Sequence, residues 1–147
     1  MIKNYTSQVP VARSISYIEA KLVMHGALDI MKRYEGQELQ AISFIISVNG
    51  RKVPFKLPAR TANVEKVLRG ARTRTPESKI KEQAARTAWK LVSDWVDIQM
   101  ALIELKQVDI MEVFLPYIFY PDKDGGLTLY EKLSASQFKV LQIPEVT

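Results

Sequence analysis

The chain has 147 residues, 47% hydrophobic and 25% charged, which fits one globular domain over residues 1–147 and excludes a disordered chain. It contains no cysteine, which excludes a disulfide framework, a thiolate nucleophile and a cysteine metal site, and no apolar run approaches the ~20 residues that a membrane span needs. Net charge is +5, and its distribution is uneven: from Arg51 to Lys90 there are 12 Lys or Arg against 3 acidic residues, while the rest of the chain is acidic on balance.

The N-terminal stretch MIKNYTSQVPVARS lacks the apolar core of a secretory signal, so the expected location is the cytoplasm, with no membrane partner. Residues 4–11 read as extended, because Pro10 biases Val9 toward the β or polyproline region. A helix then starts at Ser14 or Ser16, the latter in capping-box spacing with Glu19, and runs to His25 with Ile15, Ile18, Leu22 and Val23 on its apolar face. Gly26 stops it.

From Ala27 the apolar period becomes two. Leu28 and Ile30 alternate with Asp29, and Ile42, Phe44, Ile46 and Val48 alternate with Ser43, Ile45 and Ser47. Asn49-Gly50 is a strong hairpin signal. A two-residue turn there sets Ile46 opposite Val53, Phe44 opposite Phe55 and Ile42 opposite Leu57, so six apolar side chains share one face. A three-residue loop at residues 35–37 sets Ile30 against Ile42 and Leu28 against Phe44, giving a three-stranded antiparallel meander. Pro54 and Pro58 put its third strand at an edge.

Thr61 or Asn63 caps a short helix carrying Val64, Val67 and Leu68 and ending near Gly70. Residues 71–78 have no apolar periodicity and read as an exposed loop bearing Arg72 and Arg74. Residues 77–106 follow without Gly or Pro and form one long amphipathic helix. With Trp95 near the middle of its inward face, Ala84, Ala88, Leu91, Val92, Ile98, Gln99 and Leu102 fall inside. Lys79, Gln83, Arg86, Lys90, Ser93, Asp94, Asp97 and Glu104 then fall outside. Asp109 with Glu112, and Thr128 with Glu131, each have capping-box spacing for a further helix, and Pro116 kinks or ends the first of these. Tyr117, Phe119 and Tyr120 close the core, and residues 138–143 form a tail that returns to the sheet. The expected class is α+β: an N-terminal helix, a three-stranded meander, then a helical C-terminal half with one long central helix.

Several of these stretches together resemble a family of short proteins of bacteriophages, prophages and other mobile elements. They are Val9-Pro10-Val11 with Arg13-Ser14, His25-Gly26-Ala27, Pro54-Phe55 with Leu57-Pro58, Trp89 with Asp94-Trp95-Val96, Ala101-Leu102-Ile103-Glu104, and Glu112 to Tyr117. The resemblance implies a mobile-element origin and a cytoplasmic role. It implies no activity and no binding residue.

Catalytic candidates are few. His25, the only histidine, stands before Gly26 and suits a cap on the last helical carbonyls, and no second histidine exists to build a zinc site. Asp94 and Asp97, one turn apart with Lys90 a turn before, could hold Mg²⁺ in a metal-dependent nuclease, or Lys90 and Asp94 form an ordinary ion pair. Asp122-Lys123-Asp124-Gly125 with Glu131 matches part of a calcium loop, but Tyr120 falls where that loop requires a carboxylate, so a polar turn is favoured. No cofactor is expected. Phe55 and Trp89 could stack bases but fall on core positions.

The leading expectation is therefore a non-enzymatic accessory protein that binds DNA or RNA through backbone phosphates. The basic residues Arg51, Lys52, Lys56, Arg60, Arg72, Arg74, Lys79, Arg86 and Lys90 would carry that binding without base readout. One alternative is a protein-interaction module that engages an acidic surface of a host or phage protein, for example in counter-defence, or that self-associates as a homodimer. The other is the nuclease.

Overall fold

The computed structural model describes residues 1–71, 75–122 and 126–146. It has the expected α+β order: α1 (Val11–Met24), strands β1 (Ala27–Glu35), β2 (Glu38–Val48) and β3 (Arg51–Pro58), then α2 (Thr61–Gly70), α3 (Ile80–Glu104), α4 (Ile110–Phe114) and α5 (Leu129–Ala135). A 3₁₀ turn, Glu77–Lys79, leads into α3, so the long helix begins where the apolar period begins. A second 3₁₀ turn, Leu115–Tyr117, follows α4 where Pro116 interrupts it. Among the described residues no helix is long and apolar enough to cross a membrane.

The three strands form one antiparallel sheet in the order β1-β2-β3. Between β2 and β3 the register is the expected one, with Ile46 opposite Val53, Phe44 opposite Phe55 and Ile42 opposite Leu57. Asn49 and Gly50 both take positive φ in the turn, 52° and 80°, the geometry that matches the twist of the flanking strands.

Between β1 and β2 the register differs from the expectation. Glu35 pairs with Glu38 across a two-residue turn, and Gln40 is then an extra residue in β2, so Ile30 faces Phe44 and Lys32 faces Ile42. The bulge moves Leu39 onto the inner face, where it is buried. A second shift leaves Leu28 unpaired and exposed while Ala27 takes its place opposite Ile46.

The inner face of the sheet carries Ile42, Phe44, Ile46, Phe55 and Leu57, packed with Ile15, Ile18 and Leu22 of α1, Trp89, Val96 and Met100 of α3, and Phe114 of α4. Phe44 stacks on Phe55 with ring centres 5.3 Å apart and meets Phe114 edge-on at 5.4 Å. A smaller cluster of Leu68, Ile80 and Ala84 joins α2 to the start of α3.

α3 is rotated from its expected orientation. Its buried residues are Ile80, Gln83, Ala84, Thr87, Ala88, Trp89, Ser93, Val96 and Met100, whereas Ile98 is exposed. The cause lies in the N-terminal segment. Residues 3–6 turn rather than extend, with Asn4 at φ 64°, and this segment lies against the helix. Gln83 donates to the Ser7 carbonyl at 3.1 Å, and Thr87 donates to the Asn4 carbonyl at 2.8 Å. Polar residues are buried here because they satisfy backbone that would otherwise be orphaned.

Two helix starts also differ. Pro10, not a serine, precedes α1, and Arg60, not Thr61 or Asn63, precedes α2. Both expected capping boxes at α4 and α5 are formed. Residues 136–146 do not rejoin the sheet; Val140, Leu141 and Ile143 are exposed. Of the expected aromatic closure, Phe119 is buried and Tyr117 packs on Trp95 at 5.7 Å, while Tyr120 lies outside with Lys132 above its ring.

Candidate nucleic-acid interface

Residues directly opposite one another in a sheet share a face, so the register also defines the outer face. It consists of the rows Arg33–Ala41–Pro58, Met31–Ser43–Lys56, Asp29–Ile45–Pro54 and Ser47–Lys52. The helices of the core lie on the other side, and near β3 this face meets the segment that follows α4 and leads into α5. There Phe119 donates its backbone N–H to the Pro54 carbonyl at 3.1 Å.

Arg33, Lys52 and Lys56 therefore point the same way, with Arg51 at the hairpin end and exposed Arg60 just beyond Pro58. Lys52 and Lys56 are four residues apart, roughly 13 Å along the strand. The β2 residues directly opposite Arg33, Lys56 and Lys52 are small, Ala41, Ser43 and Ser47, with the larger Ile45 in the row between the two serines. At the α2 end the face opens into a cleft of about 430 Å³ that includes Arg33, Lys56, Arg60 and Asn63, with Glu35 and Glu131 on its walls.

Comparison with protein-family models, with curated proteins and with solved structures finds no match. The site therefore rests on its own geometry.

That geometry divides the nine basic residues expected to act together. Arg51, Lys52, Arg60 and Lys79 are exposed and form no ion pair among the described residues. Lys56 donates from its ammonium to the Gly126 carbonyl at 2.6 Å and holds that ammonium over the Phe119 ring at 5.6 Å, so its charged tip is anchored against the segment that follows α4. Arg86 and Lys90 act inside the fold instead. Arg86 donates to the Ser7 carbonyl at 3.2 Å and to Gln83 at 2.7 Å, and Lys90 donates to Asp94 at 2.8 Å. Arg72 and Arg74 lie outside the described residues.

The two carboxylates of α3 have separate partners. Partial burial works against ionisation of Asp94, but hydrogen bonds from Lys90 and Asn4 outweigh it and hold its carboxyl below the usual range. Asp97 accepts from the Tyr17 hydroxyl at 2.7 Å and pairs with Lys21 at 3.5 Å. Lys90 and Asp94 thus form the ordinary ion pair. Both aspartates tie other parts of the chain to α3, and among the described residues no three His, Asp or Glu gather as metal ligands would.

His25 closes α1 as expected, with Nδ1 2.8 Å from the Lys21 carbonyl and Nε2 3.0 Å from Glu104 at the end of α3. Asp122 accepts from the Gly126 backbone N–H at 2.8 Å, as in a polar turn; Asp124 lies outside the described residues. Phe55 and Trp89 are core residues, 0% and 1% exposed. Glu131 is desolvated, yet its bonds with Thr128 and the nearby charges of Lys56 and Arg60 hold its carboxyl below the ordinary range. Arg33 was missed because charge was counted along the chain. The alternation of Asp29, Met31 and Arg33 against Ile30 carried the signal.

Proposed function

We propose that this chain is a small accessory protein, of the kind mobile elements encode, that binds nucleic acid through the outer face of its sheet. Arg33 and Lys52 would contact backbone phosphates, with the charge of Lys56 between them and Arg51 and Arg60 at the two ends. The observation that supports this best is their common face: the register turns Arg33, Lys52 and Lys56 away from the core on the same side.

Such contacts neutralise phosphates and release counterions, and they carry no base readout. The small β2 side chains leave room for a backbone to approach. A deep pocket and a catalytic group are not needed for this task. Partners of either type, DNA or RNA, satisfy the same chemistry.

The test is charge reversal on the exposed members. Arg33→Glu, Lys52→Glu and Arg60→Glu together are expected to weaken binding of a labelled oligonucleotide at least tenfold, with an unchanged fold by circular dichroism. Arg86→Glu and Lys90→Glu are expected to lower the melting temperature instead. Equal affinity for the wild type and the triple variant would remove the outer face as the site, leaving an acidic protein partner as the next reading.

A further inference from the structure

β1 is a nine-residue edge strand without proline, and among the described residues it is paired on one side only. Unpaired edges of this length are usually shortened, bulged or covered. Here the two register shifts, between Ala27 and Asp29 and between Arg33 and Tyr34, leave residues 29–33 as an uninterrupted run centred on Met31. Three large apolar side chains of the strand are exposed: Leu28 at 56%, Met31 at 64% and Tyr34 at 55%.

We infer that β1 pairs antiparallel with β1 of a second copy across a two-fold axis at Met31, giving a continuous six-stranded sheet. Charge selects this register. With the axis at Met31, Asp29 stands opposite the partner's Arg33 and Arg33 opposite the partner's Asp29, while Met31 meets its own copy and Tyr34 reaches the partner's Leu28. Among the described residues neither Asp29 nor Arg33 has an ion pair, which suits both to pairing across the axis. Moving the axis to Lys32 sets Lys32 against itself and Asp29 against Glu35, both repulsive. Moving it to Ile30 sets Asp29 against Met31 and leaves Tyr34 and Glu35 beyond the pairing. Lys32 is held by Glu19 of α1 at 2.8 Å, which keeps its charge on the inner side of the strand.

An isologous contact of this kind is closed, so it yields a dimer and not a filament. The axis is perpendicular to the sheet, which places both outer faces on the same side. The pairing stands without the nucleic-acid reading and is tested without nucleic acid.

Light scattering on the purified chain across a concentration series is the experiment. The wild type is expected to be a dimer that dissociates on dilution. Asp29→Arg and Arg33→Asp each set like charges opposite twice per dimer, and each is expected to raise the dissociation constant about tenfold or more. The double variant D29R/R33D exchanges the charges and is expected to restore the dimer, and a general loss of folding would not be rescued this way. Met31→Lys, at an exposed position on the axis, is expected to give a monomer whose melting temperature matches that of the diluted, dissociated wild type. A wild type that stays monomeric at several hundred micromolar overturns the proposal, and so does a dimer indifferent to M31K and to both single reversals.

Discussion

Asp94 accepts hydrogen bonds from Asn4 and Lys90 and lies 3.9 Å from Lys3, so a single side chain fastens the N-terminal turn to the middle of the long helix. Its carboxyl is held below the ordinary range. A carboxyl shifted this way stabilises the fold fully above its unfolded value, about pH 4, and the contribution is lost as pH falls through the folded value. Asp94→Asn is therefore expected to cost about 1 kcal/mol at neutral pH, discounted for its partial exposure, and to lose less further stability than the wild type between pH 5 and 3. Thermal melts at both pH values check this. An unchanged melting temperature at neutral pH would mean that the N-terminal segment is not held there.

At the scale of elements, two features carry the fold. Trp89 fills the space among α1, α3 and the sheet, and Trp89→Ala is expected to cost about 3–5 kcal/mol in denaturant unfolding. Gly50 sits at φ 80° with open space around its α-carbon, so Gly50→Ala meets no clash. It is expected to cost about 1 kcal/mol through backbone strain alone. A neutral Gly50→Ala would mean that the turn can adopt another geometry.

These elements also mark where sequence reasoning succeeds. The Asn49-Gly50 register was legible because a two-residue turn fixes which residues oppose, and only one pairing buries both apolar sets. The β1 register was not, because the extra Gln40 has no compositional signature and shifts every pairing beyond it. The two capping boxes were legible from their three-residue spacing, whereas α1 and α2 begin without a side-chain cap. The rotation of α3 was hidden for another reason. Gln83, Thr87 and Ser93 look like solvent positions until the N-terminal turn is placed over the first two, and that contact joins residues about 80 positions apart. The candidate site shared this fate: the basic segment was visible as composition, but only the sheet register separates cations facing outward from those that brace α3.

At the scale of the whole molecule, the core helices α1, α3 and α4 occupy one side of the sheet and the cations Arg33, Lys52 and Lys56 the other, with Glu131 of α5 beside Lys56. A two-fold pairing through β1 would set two such faces side by side, so the dimer would cover a longer stretch of backbone than one copy. The expected footprint on a single-stranded oligonucleotide then falls when the concentration drops below that of dimer dissociation. A footprint independent of concentration in that range would separate binding from pairing.

The central claim is that outward-facing cations bind nucleic-acid backbone. The most direct measurement is the affinity for labelled single-stranded DNA, duplex DNA and RNA by fluorescence anisotropy across a salt series. Log K is expected to fall linearly with log salt, with a slope of about −3 on duplex DNA and about −2 on single strands for the three outer-face cations of one copy, and with little dependence on base sequence. No binding at low salt, or binding that does not weaken as salt rises, would contradict it.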